Sequence, residues 1–343
     1  MQLETTRPTR RLARWLAPLL VAGGTALAAC DAGDTTAPSD HGPGAVAPAS
    51  TGPQSICLDC PVSTRMAYSR LVGSWRDIYT MDAKGTAQSE VTITPNDDEY
   101  EPAWAPDHAH VVFTRNTPSF GSMTGGLWRT DEYGYGPQLT TFWADRGASW
   151  GKNGKITFFS FRDTGVSSSN EIYTIQDVGT GLTRLTNNAA DDRNPAWSPD
   201  ATRIAFASNR GDRMGHVHLY VMNPDGTGAK QLTFGPSEDQ PAWSPDGSRI
   251  AYFGTTGRNP AVFVMNADGS NIKKLVVGTA QVRGGGGHTY FVGQPTWSPD
   301  GQKIGFTTDV SGHHEIFTVN LDGSDLHDSS PGGAVDQDPA WSY

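Results

Sequence analysis

Short alternating apolar segments separated by turn residues recur along most of the chain. A representative unit spans residues 192–233, in which four short apolar segments are joined by turns and loops. In its second segment Ile204 and Phe206 alternate with smaller residues, so that both side chains lie on one face of a strand. Asp225-Gly226 provides the hairpin turn between the last two segments, because glycine accepts a positive φ there. The pattern predicts a four-stranded antiparallel sheet.

A tryptophan marks each copy of this unit. The six copies are marked by Trp104, Trp150, Trp197, Trp243, Trp297 and Trp341. A period of this size indicates one supersecondary unit repeated along the chain. In five copies a proline lies two residues before the tryptophan, which suits an edge strand beside a central channel because an edge strand tolerates a missing N–H donor. We expect the tryptophans to pack between neighbouring sheets.

The two ends of the repeated region complement each other. Met66–Ser69, Ile78–Met81 and Val91–Thr94 read as three strands without a tryptophan strand before them, and Pro339–Ser342 reads as a tryptophan strand without the other three. Together they complete one further unit, which closes the array into a ring and leaves no exposed sheet face between units. The prediction is an all-β, six-bladed β-propeller in which the C-terminal strand joins the N-terminal blade.

The composition agrees with this fold and reduces the range of possible partners. The chain has 343 residues, with 40 Gly, 23 Pro and 36% apolar residues. The many turn-forming residues suit a fold of short strands, and the apolar residues are sufficient to form a core. The net charge is −10, from 36 acidic and 26 basic residues. An acidic balance disfavours nucleic acid as a partner. We expect a monomer.

The N-terminal residues have the pattern of an export signal. A basic head at residues 7–14 precedes an apolar stretch, Trp15–Leu27, that is too short to span a bilayer. Residues 1–29 are therefore predicted to be a signal peptide. Residues 30–55 are rich in Pro, Gly, Ser, Thr and Ala and cannot bury enough surface to offset the entropy of ordering. They are predicted to be a disordered tether, and residues 56–343 to form the propeller.

Two sequence motifs resemble known families. Trp-Ser-Pro-Asp-Gly is complete at residues 243–247 and 297–301, and it is followed by Ile-Ala-Tyr or Ile-Gly-Phe and a later Asp-Gly turn. These motifs resemble the TolB-type, WD40-like (PD40) propeller repeat, which implies the fold predicted above; TolB itself has an additional N-terminal α/β domain where this chain has a tether. Leu27-Ala28-Ala29-Cys30 resembles a bacterial lipobox. That resemblance implies lipidation of Cys30, and hence an exported envelope protein, on the periplasmic side or the cell surface, attached to the membrane only through the lipid.

An acidic residue lies five positions before the tryptophan in five of the six units. These residues are Glu99, Asp145, Asp192, Glu238 and Asp336, and Val292 interrupts the series. One interpretation is a ring of carboxylates at one mouth of the channel that binds a cation or a basic peptide. The alternative is that each carboxylate caps its own loop by accepting backbone N–H bonds. Both interpretations predict a negative mouth.

Two long segments are predicted to be loops on the same side of the ring. They are residues 115–126 and residues 278–293, and long loops on a rigid scaffold commonly carry binding sites. In the second loop Arg283, His288, Tyr290 and Phe291 offer cationic and aromatic contacts. Its run of four glycines is equally compatible with a long connection that has no binding role.

The remaining chemistry-bearing residues indicate no cofactor. Cys57 and Cys60 are compatible with a small disulfide ring in an exported chain, with unpaired thiols, or with a redox pair. The histidines of the later units follow no metal-ligand spacing. We therefore predict no catalytic residue, no metal and no cofactor, and lean against an enzyme.

The function predicted from the sequence is a non-catalytic binding scaffold at the cell envelope. Its partner is expected to be an envelope protein or peptide, of basic character if the acidic mouth binds it. The alternative is a carbohydrate-binding or carbohydrate-cleaving propeller, which the aromatic residues of the long loops would suit.

Overall fold

The computed structural model describes residues 65–119, 122–130, 134, 136–165, 169–257, 259–277, 292–310 and 312–342. In chain order the strands of the first three blades are β1 (Arg65–Val72), β2 (Trp75–Asp82), β3 (Ser89–Glu90), β4 (Asp98–Trp104), β5 (Val111–Ser119), β6 (Ser122–Arg129), β7 (Arg146–Trp150), β8 (Lys155–Ser160), β9 (Glu171–Gln176) and β10 (Thr183–Arg184). The later strands are β11 (Asp192–Trp197), β12 (Ile204–Ser208), β13 (His218–Met222), β14 (Lys230–Gln231), β15 (Glu238–Trp243), β16 (Arg249–Thr256), β17 (Asn259–Asn266), β18 (Lys273–Val277), β19 (Val292–Trp297), β20 (Lys303–Thr308), β21 (Glu315–Asn320), β22 (His327–Asp328) and β23 (Asp336–Trp341).

The described strands form six antiparallel sheets, which confirms the predicted six-bladed propeller. We name the sheets blades A to F. Blade A is β23-β1-β2-β3, blade B is β4-β5-β6, blade C is β7-β8-β9-β10, blade D is β11-β12-β13-β14, blade E is β15-β16-β17-β18 and blade F is β19-β20-β21-β22. In blade A the two ends of the chain pair as predicted, with Met66 opposite Trp341 and Ala67 opposite Ala340. No helix long and apolar enough to cross a membrane occurs among the described residues.

A threonine or serine side chain ends the fourth strand of most blades after only two residues. The hydroxyl oxygen accepts a hydrogen bond from a backbone N–H of the third strand. In a longer fourth strand, a backbone carbonyl would accept from that N–H instead. These bonds run from Ile78 to Thr92, Leu127 to Thr140, Ile172 to Thr186, Leu219 to Thr233 and Ile316 to Ser330, each at 2.9 Å. Blade E has Val276 at this position, and there the fourth strand continues to Val277. The predicted strand Val91–Thr94 is accordingly shorter and earlier, at Ser89–Glu90.

The segment 115–126 is not the predicted loop. Residues Arg115 to Ser119 pair with Ser122 to Gly126 and continue the hairpin of β5 and β6. Gly125 and Gly126 pair directly with Asn116 and Arg115 in this ladder. A Cβ at Gly126 would lie 2.3 Å from the carbonyl oxygen of Thr140, so the glycines permit close approach of backbones rather than a flexible loop.

The apolar core is divided into six clusters, one at each junction between adjacent blades. At the junction of blades E and F, for example, Val262 and Leu275 of blade E pack with Trp297 and Phe306 of blade F. At the closing junction Met66 and Tyr68 of blade A pack with Ile316 of blade F. Blades therefore adhere through their faces, and closing the ring buries the last face against the first.

Candidate functional site

The five acidic residues predicted to ring the channel mouth are buried, and each is paired with a basic side chain. Four of the carboxylates bind an arginine that lies in, or two residues after, the second strand of the same blade. These pairs are Glu99 with Arg115, Asp145 with Arg162, Asp192 with Arg210 and Asp336 with Arg70. The Arg70 Nε lies 2.7 Å from Asp336 Oδ1, and the Arg210 Nη2 lies 2.5 Å from Asp192 Oδ2. Four of the five carboxylates are thus neutralised by an arginine.

Each of these arginines also stacks on aromatic rings of its blade. The Arg162 guanidinium lies 5.5 Å from the ring centres of Phe158 and Tyr173, and the Arg210 guanidinium lies 4.8 Å from that of Phe206. Burial raises the pKa of Asp145 although Arg162 acts in the opposite direction. A carboxylate that pairs with an arginine of its own sheet, beneath aromatic rings, has a structural role in that blade. None of the five acids lines the channel cavity described below.

Glu238 of blade E differs because its partner is a histidine from the preceding blade. His218 Nδ1 lies 3.0 Å from Glu238 Oε2, and His218 Nε2 lies 3.1 Å from Asp212 Oδ2. Burial alone lowers the pKa of His218, but the hydrogen bonds to Asp212 and Glu238 outweigh burial and raise it. This junction between blades D and E therefore contains a pair that titrates, whereas the arginine pairs stay charged.

Half of the residues that line the channel cavity lie three positions before a tryptophan, and the other half follow them directly. We call the six residues of the first half the collar; they are Glu101, Gly147, Asn194, Gln240, Gln294 and Asp338. All six have left-handed backbone conformations, with φ between 51° and 60°. They lie where the pairing of first and second strands shifts register, a β-bulge in every blade. Such a conformation costs about 1–2 kcal/mol for most residues other than glycine, so the bulge re-aims these side chains at the expense of local stability.

Collar side chains reach from one blade to the backbone of the next. The Gln240 side-chain oxygen accepts from Gln294 N at 2.8 Å, and the Gln294 side-chain oxygen accepts from Asp338 N at 3.3 Å. Asp338 Oδ2 then accepts from Glu101 N at 3.2 Å, and Glu101 Oε2 accepts from Gly147 N at 2.8 Å. This series of bonds links blades E, F, A, B and C. It stops at Gly147, which has no side chain to continue it.

Glycine is required at position 147 by its surroundings. Its φ is 60°, and an added Cβ would lie 2.6 Å from the Phe159 ring. The series of collar bonds is therefore open between blades C and D. Asn194 instead donates to Asp239 Oδ1 at 2.7 Å.

Two carboxylates carry all the formal charge of the collar cavity. The cavity has a volume of about 150 Å³. Among the described residues that line it, Glu101 and Asp338 are charged, and none is Lys, Arg or His. Burial, followed by the charge of Asp338, raises the pKa of Glu101 to about 7. Burial likewise raises the pKa of Asp338, against its hydrogen bond from Ser69. A cation placed here would relieve the repulsion between the two groups.

A second cavity continues the channel beyond the collar. We call it the vestibule; it has a volume of about 470 Å³ and lies on the side of the Trp-Ser-Pro-Asp turns. Eight prolines and five of the six repeat tryptophans line it. Trp104, Trp197, Trp243, Trp297 and Trp341 are at most 8% exposed, and Trp150 is half-buried. Indole nitrogens of Trp104, Trp243 and Trp297 donate to alanine carbonyls of the preceding blade, as expected for packing between blades.

In five blades the acidic residue predicted from the sequence lies two positions before the collar residue of the first strand. The collar had one sequence signal, a polar residue before the proline in five repeats, at Glu101, Asn194, Gln240, Gln294 and Asp338. The residue types differ, so the position does not stand out as the acidic series does.

Several other predicted residues lie outside the described residues. They are Cys30, Cys57, Cys60, Arg283, His288, Tyr290 and Phe291. Within the described ranges, no group of three or more His, Cys, Asp or Glu side chains is arranged to hold a metal ion.

Comparison with known proteins confirms the predicted repeat family. Residues 240–343 match the family model described as PD40, the TolB beta propeller domain. A stretch of 163 residues, 48% of this chain, is 28% identical to the Tol-Pal system protein TolB of Francisella tularensis subsp. mediasiatica. That stretch covers 35% of the relative, so the chain spans about a third of the length of the curated relatives it matches. Residues 240–343 therefore carry repeats of the TolB propeller type.

Solved structures share the fold. TolB from Acinetobacter baumannii superposes with a TM-score of 0.65 and 22% identity, over 82% of this chain and 67% of that one. A putative TolB from Agrobacterium tumefaciens gives a TM-score of 0.56 and 18% identity, over 78% and 89%. An oligogalacturonate lyase in complex with manganese gives a TM-score of 0.51 and 17% identity, over 73% of both chains. At these identities the likeness shows the fold alone.

Proposed function

We propose that the chain is a non-catalytic scaffold of the bacterial cell envelope that binds a protein or peptide partner at the collar. The observation that carries this proposal is the pair of carboxylates, Glu101 and Asp338, in a cavity without a basic side chain among its described lining. The collar is rigid, because backbone and side-chain bonds from four blades hold its side chains. A preformed, rigid and negatively charged cavity suits recognition of a basic residue on a partner.

A lysine or arginine side chain of the partner is the proposed occupant of the collar. Its charge would lie between two carboxylates whose ionised forms are otherwise disfavoured by burial. Binding would then lower the pKa of Glu101 and release a proton at neutral pH. Affinity for the partner should therefore increase as the pH rises from 6 to 8.

The relatives support a role in protein assembly. The curated relative is named for the Tol-Pal system, and the PD40 match includes the collar residues Gln240, Gln294 and Asp338. We extend the role to this chain as an envelope scaffold.

Affinity purification from detergent-solubilised envelope, followed by mass spectrometry, tests the function. The unmodified protein should retain an envelope protein that the double variant Glu101→Gln, Asp338→Asn loses. Asp177→Asn is the matched control, because Asp177 lies in a hairpin turn of blade C outside the collar lining and has no side-chain hydrogen bond among the described residues. Equal recovery of the partner by the double variant, or recovery of small saccharides alone, would contradict the proposal.

Lipid attachment through Cys30 is proposed from the lipobox resemblance and has its own test. Cys30→Ser should move the protein from the membrane fraction to the soluble fraction, because one or more acyl chains supply the membrane affinity. Metabolic labelling with an alkyne fatty acid should mark the unmodified protein and not the variant. Unchanged membrane retention of Cys30→Ser, without labelling of either protein, would contradict the proposed anchor.

A further inference from the structure

A short turn joins the first strand to the second in blades B to F, and in blades E and F it packs on the preceding blade. A Cβ added to Gly247, in the turn of blade E, would lie 3.7 Å from Cδ of Pro199 in blade D, an ordinary van der Waals distance. A Cβ added to Gly301, in the turn of blade F, would lie 3.9 Å from Cδ of Pro245 in blade E. The Arg249 guanidinium of blade E also donates to the carbonyl oxygen of Gly301 at 3.3 Å. Each of these turns therefore covers part of the preceding blade.

Blade A lacks this turn, because its first and second strands, β23 and β1, come from the two ends of the propeller. The two strands nevertheless meet as in the other blades. Ser342 N donates to Arg65 O at 2.9 Å, and at the corresponding place in blade F Ser298 N donates to Lys303 O at 2.9 Å. In blade F the residues directly before Lys303 form the turn. The chain therefore enters β1 at the point where the turn of another blade would end.

A groove of about 850 Å³ lies between blades F and A at this point, and we call it the closing groove. Its wall includes Pro299 of blade F, the proline on which the turn of a following blade would pack. Two other wall residues, Ala83 and Thr318, are small. They take the positions that Leu321 and Val264 fill at the junction of blades E and F, where both pack in the apolar cluster. The closing groove is thus the space of the turn that blade A lacks, enlarged by two small side chains.

We propose that residues 56–64, which directly precede β1, fold back over the closing groove and fill the space of the missing turn. Their sequence is Ile-Cys-Leu-Asp-Cys-Pro-Val-Ser-Thr, and its three aliphatic residues suit a groove formed by a proline and small side chains. Residues 31–55, by contrast, contain no Ile, Leu, Met or aromatic residue. The apolar character of the chain therefore begins in the segment that adjoins the groove.

The length and the charge of the segment agree with this position. Nine extended residues reach about 30 Å, roughly twice the width of a four-stranded blade, so the segment can cross the groove. In the groove wall Lys303 pairs with Asp325 at 2.5 Å, whereas Lys84 is exposed and has no ion pair among the described residues. Asp59 is the one charged residue of the segment. Its attraction to Lys84 would favour docking.

Docking of the segment would have two consequences for the protein. The segment would cover the junction that closes the ring and stabilise it by burying apolar surface. It would also make the chain leave the ring beside the Trp-Ser-Pro-Asp turns, on the side of the vestibule. The collar carboxylates take no part, so a failure of the proposed function would leave this docking site unaffected.

Hydrogen–deuterium exchange of the full-length protein, read on peptic fragments by mass spectrometry, tests the docking. After correction for intrinsic rates, residues 56–64 should exchange at least about tenfold more slowly than residues 31–55, because exchange requires the docked segment to open. Reducing conditions exclude any contribution from a bond between Cys57 and Cys60. Equal exchange of the two segments would overturn the proposal. Protection that depends on protein concentration, as expected if a second copy filled the groove, would also overturn it.

A variant of the groove wall tests where the segment docks. Ala83 is exposed at the groove, so Ala83→Trp should fill the groove without disturbing the core, and residues 56–64 should lose their protection. Asp268→Trp is the matched control, because Asp268 is exposed in the corresponding hairpin turn of blade E. This control should keep the protection. Protection that persists in Ala83→Trp would place the segment on another surface and contradict the proposal.

Two deletions of equal length test the effect on the closing junction. Deletion of residues 56–63 should lower the melting temperature by at least about 2 °C, because the aliphatic side chains no longer cover the groove. Deletion of residues 40–47, within the predicted tether, is the matched control and should leave the melting temperature unchanged. Equal melting temperatures for the two variants would count against a docked segment.

Discussion

The carboxylate of Asp338 accepts a hydrogen bond from the backbone N–H of Glu101 at 3.2 Å, although 237 positions separate the two residues. Asp338 lies on β23, the strand that closes the ring, and Glu101 lies on the first strand of the next blade. The contact places two carboxylates in one small cavity and couples their ionisation. Ring closure therefore brings the two carboxylates into one cavity, and it also provides the Glu101 N–H that stabilises the Asp338 carboxylate.

Replacing Glu101 by glutamine should stabilise the protein at alkaline pH. An unfolded glutamate titrates near 4.5, whereas the pKa of Glu101 is raised to about 7. The folded state thus binds more protons between these values, and stability falls as the pH rises through that window. Glutamine keeps an oxygen for the Gly147 N–H. We expect a higher melting temperature for Glu101→Gln at pH 8, by roughly 2–4 °C for each kcal/mol of relief, and convergence with the unmodified protein near pH 4.5. A lower melting temperature at pH 8 would contradict this.

The His218 pair should make the junction of blades D and E dependent on pH. The pKa of His218 is raised above 6.5, so the stabilisation is complete below pH 6.5 and is lost as the pH rises through the raised value. The difference in melting temperature between the unmodified protein and His218→Gln should be larger at pH 5.5 than at pH 9. Arg210→Gln is the control, because an arginine pair keeps its charge over this range. A difference for His218→Gln that does not change with pH would count against the charged histidine.

Loss of one buried carboxylate should strongly destabilise its blade. Asp192 is fully buried and accepts bonds from Ser208 at 2.5 Å and Asn188 at 2.8 Å as well as from Arg210. Asp192→Ala leaves these donors without an acceptor. We expect a decrease of about 2–4 kcal/mol in the free energy of unfolding, measured by urea denaturation. Asp177→Asn should change the free energy by less than about 0.5 kcal/mol, and an equally small effect of Asp192→Ala would contradict the structural role.

Truncation of Trp297 should open the junction of blades E and F. Its side chain is 0% exposed, and its indole donates to Ala242 O at 3.0 Å. Trp297→Ala should lower the free energy of unfolding by about 3–5 kcal/mol, through the cavity and the lost bond. Trp75, which is half-buried on β2, provides the comparison. A smaller loss for Trp297→Ala than for Trp75→Ala would contradict the arrangement.

Deletion of the closing strand should expose an unpaired edge at the channel. Without residues 336–343, β1 loses its inner partner, and the cluster of Met66 and Tyr68 with Ile316 loses Trp341. An unpaired edge with an apolar face promotes association. The truncated protein should elute as oligomers in size-exclusion chromatography, and a synthetic peptide of residues 332–343 should restore the monomer. A monomeric truncated protein with an unchanged melting temperature would contradict closure by β23.

Much of the fold was predictable because its determinants are local. The Asp225-Gly226 turn, the alternation of Ile204 and Phe206, and the repeated tryptophan each depend on neighbouring residues. The site was less predictable. The acids five positions before five of the six tryptophans stand out in the sequence because their residue type repeats, whereas the collar residues vary between Glu, Gly, Asn, Gln and Asp. Their shared property is a left-handed backbone at a bulge, which appears only when two strands pair out of register.

The sequence by itself determined the number of blades and the strand that closes the ring, since a period and a split unit admit one closed arrangement. Tertiary structure decided which polar groups meet. The arginine that neutralises Asp192, the carboxylate that raises the pKa of Glu101, and the Ser149 hydroxyl that accepts from the Trp197 backbone N–H each come from a separate strand or blade. Such pairings depend on distances set by strand register and by the curvature of the ring, and these arise only when the blades are assembled.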